Sequence, residues 1–138
     1  MTTRYLLDTN TVSYIIKGQP IVVQKRLALI PMSDVYISSI TEAELLRGIQ
    51  KHPQAVTLHK TVKEFLRLVE SISWCSKAAQ AYAQLRSTCD QRGKQLGTMD
   101  ILIASHALSL HATLVTSDQA FYHLNDMLSL ENWTIESS

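Results

Sequence analysis

The sequence predicts an α/β fold, a central parallel sheet of about five strands with helices on both faces. Short apolar runs of strand length alternate with longer segments of helical spacing from one end of the chain to the other. The short runs are apolar and β-branched, as strands buried on both faces are. Neither a repeat, nor a low-complexity tract, nor a Gly/Ser linker interrupts this alternation, so the 138 residues read as one domain, 1–138.

The elements follow in order. Arg4 to Leu7 is an apolar run ending at Asp8, the pattern of a first strand. Thr9 and Asn10 offer cap chemistry for a helix to about Lys17, where Gly18 and Pro20 stop it. A second helix runs from Ile21 to Leu29, and Val35 to Ser38 is the second strand. Thr41 to Gln50 has helical spacing, with Leu45, Leu46 and Ile49 on one side. Beyond Pro53, Gln54 to Val69 is an amphipathic helix, and Ser71 to Trp74 is the third strand. Ser76 can cap a helix to Gln91 that presents Ala79, Tyr82, Ala83, Leu85 and Arg86 on one face. A polar loop, Arg92 to Gly97, leads to a helix from Met99 to Leu110 capped by Thr98. Ala112 to Thr116 is a strand, and Trp133 to Ile135 is read as the last one.

Composition closes off several classes. No stretch approaches the roughly 18 uncharged apolar residues of a membrane span, and the N-terminus has too short an apolar run for a secretory signal. A cytoplasmic protein without a membrane partner is expected. Cys75 and Cys89 would lie near opposite ends of one helix, roughly 20 Å apart, and are expected as free thiols. The formal net charge of +1 neither announces a nucleic-acid binder nor excludes one, because acids gathered around metal would cancel basic groups elsewhere.

Four of the twelve acidic residues fall in one kind of place. Asp8 ends the first strand, and Glu44 lies in the first turn after the second. Asp100 opens a helix behind a glycine-containing loop, and Asp118 follows the Ala112–Thr116 strand by two residues. In a parallel sheet these positions share the edge where open α/β folds bind ligands. Carboxylates crowded there repel and raise one another's pKa, and oxygen-only ligands suit hard cations such as Mg²⁺ or Mn²⁺. No His/Cys grouping has zinc spacing. A metal that activates water and steadies charge on phosphate fits phosphodiester hydrolysis. Each acid also has a plainer reading. Glu44 could complete a capping box begun by Thr41, Glu42 one begun by Ser39, and Asp118 could cap a short helix. Asp8 is harder to explain away, since a charge directly after Tyr5-Leu6-Leu7 needs a partner.

Tyr5-Leu6-Leu7-Asp8-Thr9-Asn10 is similar to the hydrophobic-DTN opening of PIN-domain proteins, specifically the VapC-type toxins of bacterial toxin–antitoxin pairs. Ile37 to Gly48 resembles their S-x-x-T-x-x-E-x-x-x-G pattern, an alignment that selects Glu44 over Glu42. Arg86, Arg92 to Gly97 and Asp100 to Ala104 look like the family's basic loop and D-x-x-I-A helix. Leu114 to Phe121 resembles its T-x-D-x-x-F ending, with one departure: Ala120 stands where an acid often precedes the Phe, so the fourth acidic position rests on Asp118. The resemblance spans nearly the whole chain. It implies a PIN-like fold and a Mg²⁺/Mn²⁺-dependent endoribonuclease, dimeric, cutting tRNA or ribosomal RNA and neutralised by a small VapB-like antitoxin that blocks the site. Asp8, Glu44, Asp100 and Asp118 would be its catalytic metal ligands, with Asn10 orienting Asp8 or a water, unless it is only a helix cap. Thr116 would hydrogen-bond a metal-site acid, unless it is only a strand-end threonine.

RNA needs cations for its phosphates, and Arg86, Arg92 and Lys94 are the candidates; a solvated loop would carry the same residues. Arg47 could pair with Glu44 along a helix. His106, six residues past Asp100, points elsewhere on its helix, and Trp74 and Trp133 are expected in the core. Two other readings compete. A haloacid-dehalogenase-like phosphatase would use Asp8 as nucleophile, but it wants a second acid where Asn10 stands. A receiver-like or inactive binding module would have no need of four separated acids.

Overall fold

A computed structural model describes residues 2–136. Five parallel strands form one sheet in the order β3-β2-β1-β4-β5: β1 Tyr5–Leu7, β2 Val35–Ser38, β3 Glu70–Ile72, β4 Thr113–Val115 and β5 Ser129–Glu131. Six helices surround it: α1 Thr9–Lys17, α2 Ile21–Ala28, α3 Ser39–Lys51, α4 Val56–Leu68, α5 Ser76–Gln91 and α6 Thr98–Leu110. The expected parallel sheet with helices on both faces is what forms.

The layering follows from the pleat, which turns successive side chains to opposite faces. Leu6 and its partner Leu114 pack with Leu85, Cys89, Ile101 and Ala104 of α5 and α6. One residue on, Leu7 and Val115 pack with Val12, Leu45, Val62 and Phe65 of α1, α3 and α4. Each central strand is buried on both sides, which is why the strands read as unbroken apolar runs.

Several boundaries differ from expectation. The last strand is Ser129–Glu131, not Trp133–Ile135; Trp133 is buried against Tyr5, with its indole N–H donating to Glu131. Of that segment only Trp133 enters the core, Ile135 being exposed, while backbone pairing to β4 falls on the more polar residues before it. Helix α4 starts at Val56 rather than Gln54, and β3 comes one residue earlier than expected. Helix α5 buries Ala78, Ala81, Leu85 and Cys89, whereas Ala79, Ala83 and Arg86 face outward; small side chains at i and i+3 let α6 approach closely. Neither Ser76 nor Thr98 is a cap: the cap positions are Cys75 and Gly97, without a side-chain bond. Trp74 is half-buried, not core. Both cysteines are free, as expected. Among the described residues no helix is long and apolar enough to cross a membrane.

Candidate active site

The chain direction explains the site. All five strands are parallel, so β1, β2 and β4 release the chain at the same edge. The Asp8 amide still bonds to the Val115 carbonyl at 3.1 Å, extending the β1–β4 ladder by one step. Its side chain then turns to cap α1, Oδ1 accepting from the Thr11 amide at 2.8 Å. Asp8 itself, not Thr9 or Asn10, is thus the helix cap.

Asp8 is only 6 % exposed. Burial raises its carboxyl above the ordinary aspartate range, and Asp118 adds to the rise; the Thr116 hydroxyl and the amide and hydroxyl of Thr11 pull it back. Thr116 is fully buried, and its hydroxyl also accepts from the Asp118 amide at 3.1 Å. It therefore links two of the acids, as one of its two expected readings required. Asp118 caps the 3₁₀ turn Gln119–Leu124 through Oδ1, which takes the Ala120 amide at 2.9 Å. That capping is the plain reading of Asp118, and it leaves the second carboxylate oxygen free to act.

Helix α3 begins at Ser39 with Ser38 as its cap, so Glu44 sits in the second turn, not the first, and no box with Thr41 forms. Glu44 Oε1 accepts from the Thr9 hydroxyl at 2.7 Å, and Thr9 and Thr41 hydroxyls lie 3.2 Å apart. Glu42 points the other way, accepting from Ser71 of β3 at 2.8 Å. The two acids of the Thr41–Glu44 run are therefore sorted by partner. Thr9 was visible in the sequence only as cap chemistry; no spacing rule marks a threonine that will reach an acid 35 positions away.

Asp100, in the first turn of α6, joins them. Burial raises its carboxyl, and Asp118, Asp8 and Glu44 each push it further. The Asp100 carboxyl lies within electrostatic range of the other three acids, at the sheet edge where their elements begin or end. A Cβ placed on Gly97 would stand 3.3 Å from Asp100 Oδ2, so the bare glycine gives that carboxylate its room.

Among the described residues no three His, Cys, Asp or Glu side chains stand close enough to grip one ion by themselves. Mg²⁺ retains several waters while using one or two carboxylates, so its site need not be a closed cage of protein ligands. The donor set fits such a hydrated, hard cation and offers nothing to a thiolate-loving one.

The other candidates divide. Asn10 is exposed on α1. Arg92 does not stand free for RNA: its guanidinium forms two bonds to Asp126, at 3.0 and 2.7 Å, and a third to the His123 carbonyl. Arg86 reaches Asp90 only loosely, at 3.7 Å, and exposed Lys94 forms no ion pair among the described residues. Arg47 is exposed and forms no ion pair with Glu44.

Residues 5–127 match the family profile of the PIN domain. The chain is 36 % identical over 130 residues to Ribonuclease VapC2 of Rickettsia felis, covering 94 % of this chain and 97 % of that one. It belongs to the VapC family of PIN-domain ribonucleases. Another VapC relative, the tRNA(fMet)-specific endonuclease VapC of Salmonella typhimurium, is 30 % identical over 94 % of this chain and 98 % of its own. The crystal structure of VapBC2 from Rickettsia felis bound to a promoter DNA fragment contains a chain that superposes with a TM-score of 0.85 at 34 % identity, covering 95 % of this chain and 99 % of that one. A VapC ribonuclease family takes the place of the phosphatase and binding-module alternatives.

Proposed function

We propose that this chain is the RNA-cleaving toxin of a toxin–antitoxin pair, using Mg²⁺ or Mn²⁺ held by Asp8, Glu44, Asp100 and Asp118. The observation that carries the reading is the common sheet edge at which the ends of β1, β2 and β4 and the start of α6 leave Asp8, Glu44, Asp118 and Asp100, near enough for the first three to push the Asp100 carboxyl upward. Such mutual repulsion is relieved by a divalent cation, and a fold that needed no cation would have no reason to gather four acids. When bound, the metal would lower the pKa of a water and stabilise charge developing on the scissile phosphate.

The chain's own groups do the positioning. Thr116 and Thr11 favour the charged form of Asp8 against the effect of its burial and fix it at the end of β1. Thr9 holds one oxygen of Glu44, and among the described residues the other accepts no side-chain hydrogen bond. Lys94 and Arg86 supply cations for RNA phosphates beside the helix that carries Asp100. Because relatives are named as tRNA-specific endonucleases and neighbouring structures are VapBC complexes, tRNA is the first substrate and a VapB-like protein the expected antitoxin. A homodimer is the expected state of the free toxin.

The test is cleavage of a tRNA pool by the purified chain in Mg²⁺, in Mn²⁺ and in excess EDTA. Cleavage in either metal and none in EDTA supports the reading. Undiminished cleavage in EDTA overturns the metal's part in it.

A further inference from the structure

Helices α3 and α6 bring Glu44 and Asp100 to the cleft, yet no strand joins them: α3 follows β2, and α6 follows α5 through a loop. Polar side chains join them instead. His106 of α6 is 1 % exposed, and its Nδ1 lies 2.8 Å from the hydroxyl of Ser38. That hydroxyl is the cap of α3, accepting from the Ile40 amide at 3.1 Å. A second tie runs in parallel. The Trp74 indole N–H donates to the Leu102 carbonyl at 2.9 Å, and the Trp74 amide donates to the Ser39 hydroxyl at 3.1 Å. Leu102 lies two residues past Asp100, and Ser39 opens the helix that carries Glu44.

His106 is a costly residue to keep there. Its Nε2 is buried with no hydrogen-bond partner, a penalty that a leucine of similar size would avoid. Burial also depresses its basicity, so the ring is neutral and contributes no charge to the acids. A core position selected for stability alone would be apolar. What the imidazole supplies that an apolar side chain cannot is the single bond to the α3 cap.

We infer that His106 is a positioning residue: through Ser38, and alongside Trp74, it fixes the start of α3 against α6 and so sets the separation of Glu44 from Asp100. The inference rests on the metal-site reading above. Groups that orient metal-holding side chains typically change metal affinity about 10- to 100-fold when removed.

The experiment is titration of the metal-free protein with Mn²⁺ alone, beside tRNA-cleavage kinetics and thermal melts in EDTA. His106→Leu removes the bond and the unpartnered nitrogen together. It is expected to melt no lower than wild type, bind Mn²⁺ about tenfold or more weakly, and lose kcat while the KM for RNA holds. His106→Asn keeps a hydrogen-bonding atom near the Nδ1 position and is expected to recover most of the affinity. Trp74→Phe keeps a ring but loses the bond to Leu102, and is expected to weaken Mn²⁺ binding in the same direction from a half-buried site. Ser38→Ala removes the other end of the His106 bond and decides the matter if His106→Leu fails to fold. Wild-type Mn²⁺ affinity and kcat in folded His106→Leu, or in Ser38→Ala if the former is unfolded, would overturn the role of His106 alone. A wild-type chain that binds no Mn²⁺ would overturn the metal reading and this inference with it.

Discussion

Asp8→Asn separates a charge that serves chemistry from one that serves the fold. Asparagine equals aspartate as a helix cap, so the bond from the Thr11 amide, at 2.8 Å in wild type, is retained. What is lost is a carboxylate that burial and Asp118 hold above its ordinary pKa. A folded state that raises an acid's pKa binds more protons than the unfolded chain, so stability falls as pH rises through that window. In metal-free protein the penalty is absent below the unfolded value near 3.8 and complete above the raised folded value. Asp8→Asn should therefore match wild type near pH 3 and melt at or above it at pH 7. Asp8→Ala provides the control. Losing the cap costs about 1 kcal/mol, which for a chain of 138 residues places its melting point about 3 °C below that of Asp8→Asn. Activity should move the opposite way. Several kcal/mol of metal-centred stabilisation, at about 1.4 kcal/mol per factor of ten, corresponds to a fall of about a thousandfold in kcat for Asp8→Asn. The assays are melts in EDTA across pH and tRNA cleavage in Mg²⁺. An Asp8→Asn protein that melts several degrees below wild type yet cleaves RNA would refute the reasoning.

Glu44→Gln should abolish cleavage with little change in melting, whereas Glu42→Gln should cut normally, since Glu42 faces Ser71 and not the cleft; the reversed ranking in folded proteins would show the wrong acid was chosen. Thr9→Val leaves Glu44 without its 2.7 Å bond and should lower kcat about tenfold, the worth of one hydrogen bond to a charged group, with KM for RNA unchanged. In RNA-binding titrations against salt, Lys94→Ala and Arg86→Ala should each reduce the slope by about 0.7, the value for one lost phosphate contact on a single strand. Arg92→Ala should leave the slope alone, because that guanidinium is held by Asp126; an equal loss there would mean the pair opens for RNA.

The central strands were legible because burial on both faces leaves an unbroken apolar signature at Tyr5–Leu7, Val35–Ser38 and Thr113–Val115. The edge strand was not. Ser129–Glu131 has one apolar residue between two polar ones and is defined by its pairing with β4, a relation no local pattern records. The face of α5 was misjudged for a related reason: buried Ala78 and Ala81 carry little hydrophobic signal, and Tyr82 beside them carries more. The four acids could be found because each follows a strand or opens a helix, which are positions along the chain. Their partners could not. Thr9 to Glu44 and His106 to Ser38 depend on the order β3-β2-β1-β4-β5, which decides which strand ends are neighbours.

On the proposed metal-dependent reading, that division also says where a cation would act. Three of the acids carry compensation built into the protein: Asp8 from Thr11 and Thr116, Glu44 from Thr9, Asp118 from the Ala120 amide. Asp100 has none; among the described residues no hydrogen bond reaches its carboxylate, and both burial and its three acidic neighbours act against its charge. The fold could have supplied a donor there, as it did elsewhere, and Gly97 instead keeps the space beside Oδ2 bare. A fully satisfied set of carboxylates would fold more comfortably and attract a cation less, because the free energy of binding comes from charge the protein has left uncompensated. On the proposed reading the three satisfied acids would hold the geometry, and the unsatisfied one would supply the pull. On this view Asp100→Asn should weaken Mn²⁺ binding more than loss of Asp118 does, even though Asp118 lies at the end of a strand and Asp100 in the first turn of a helix.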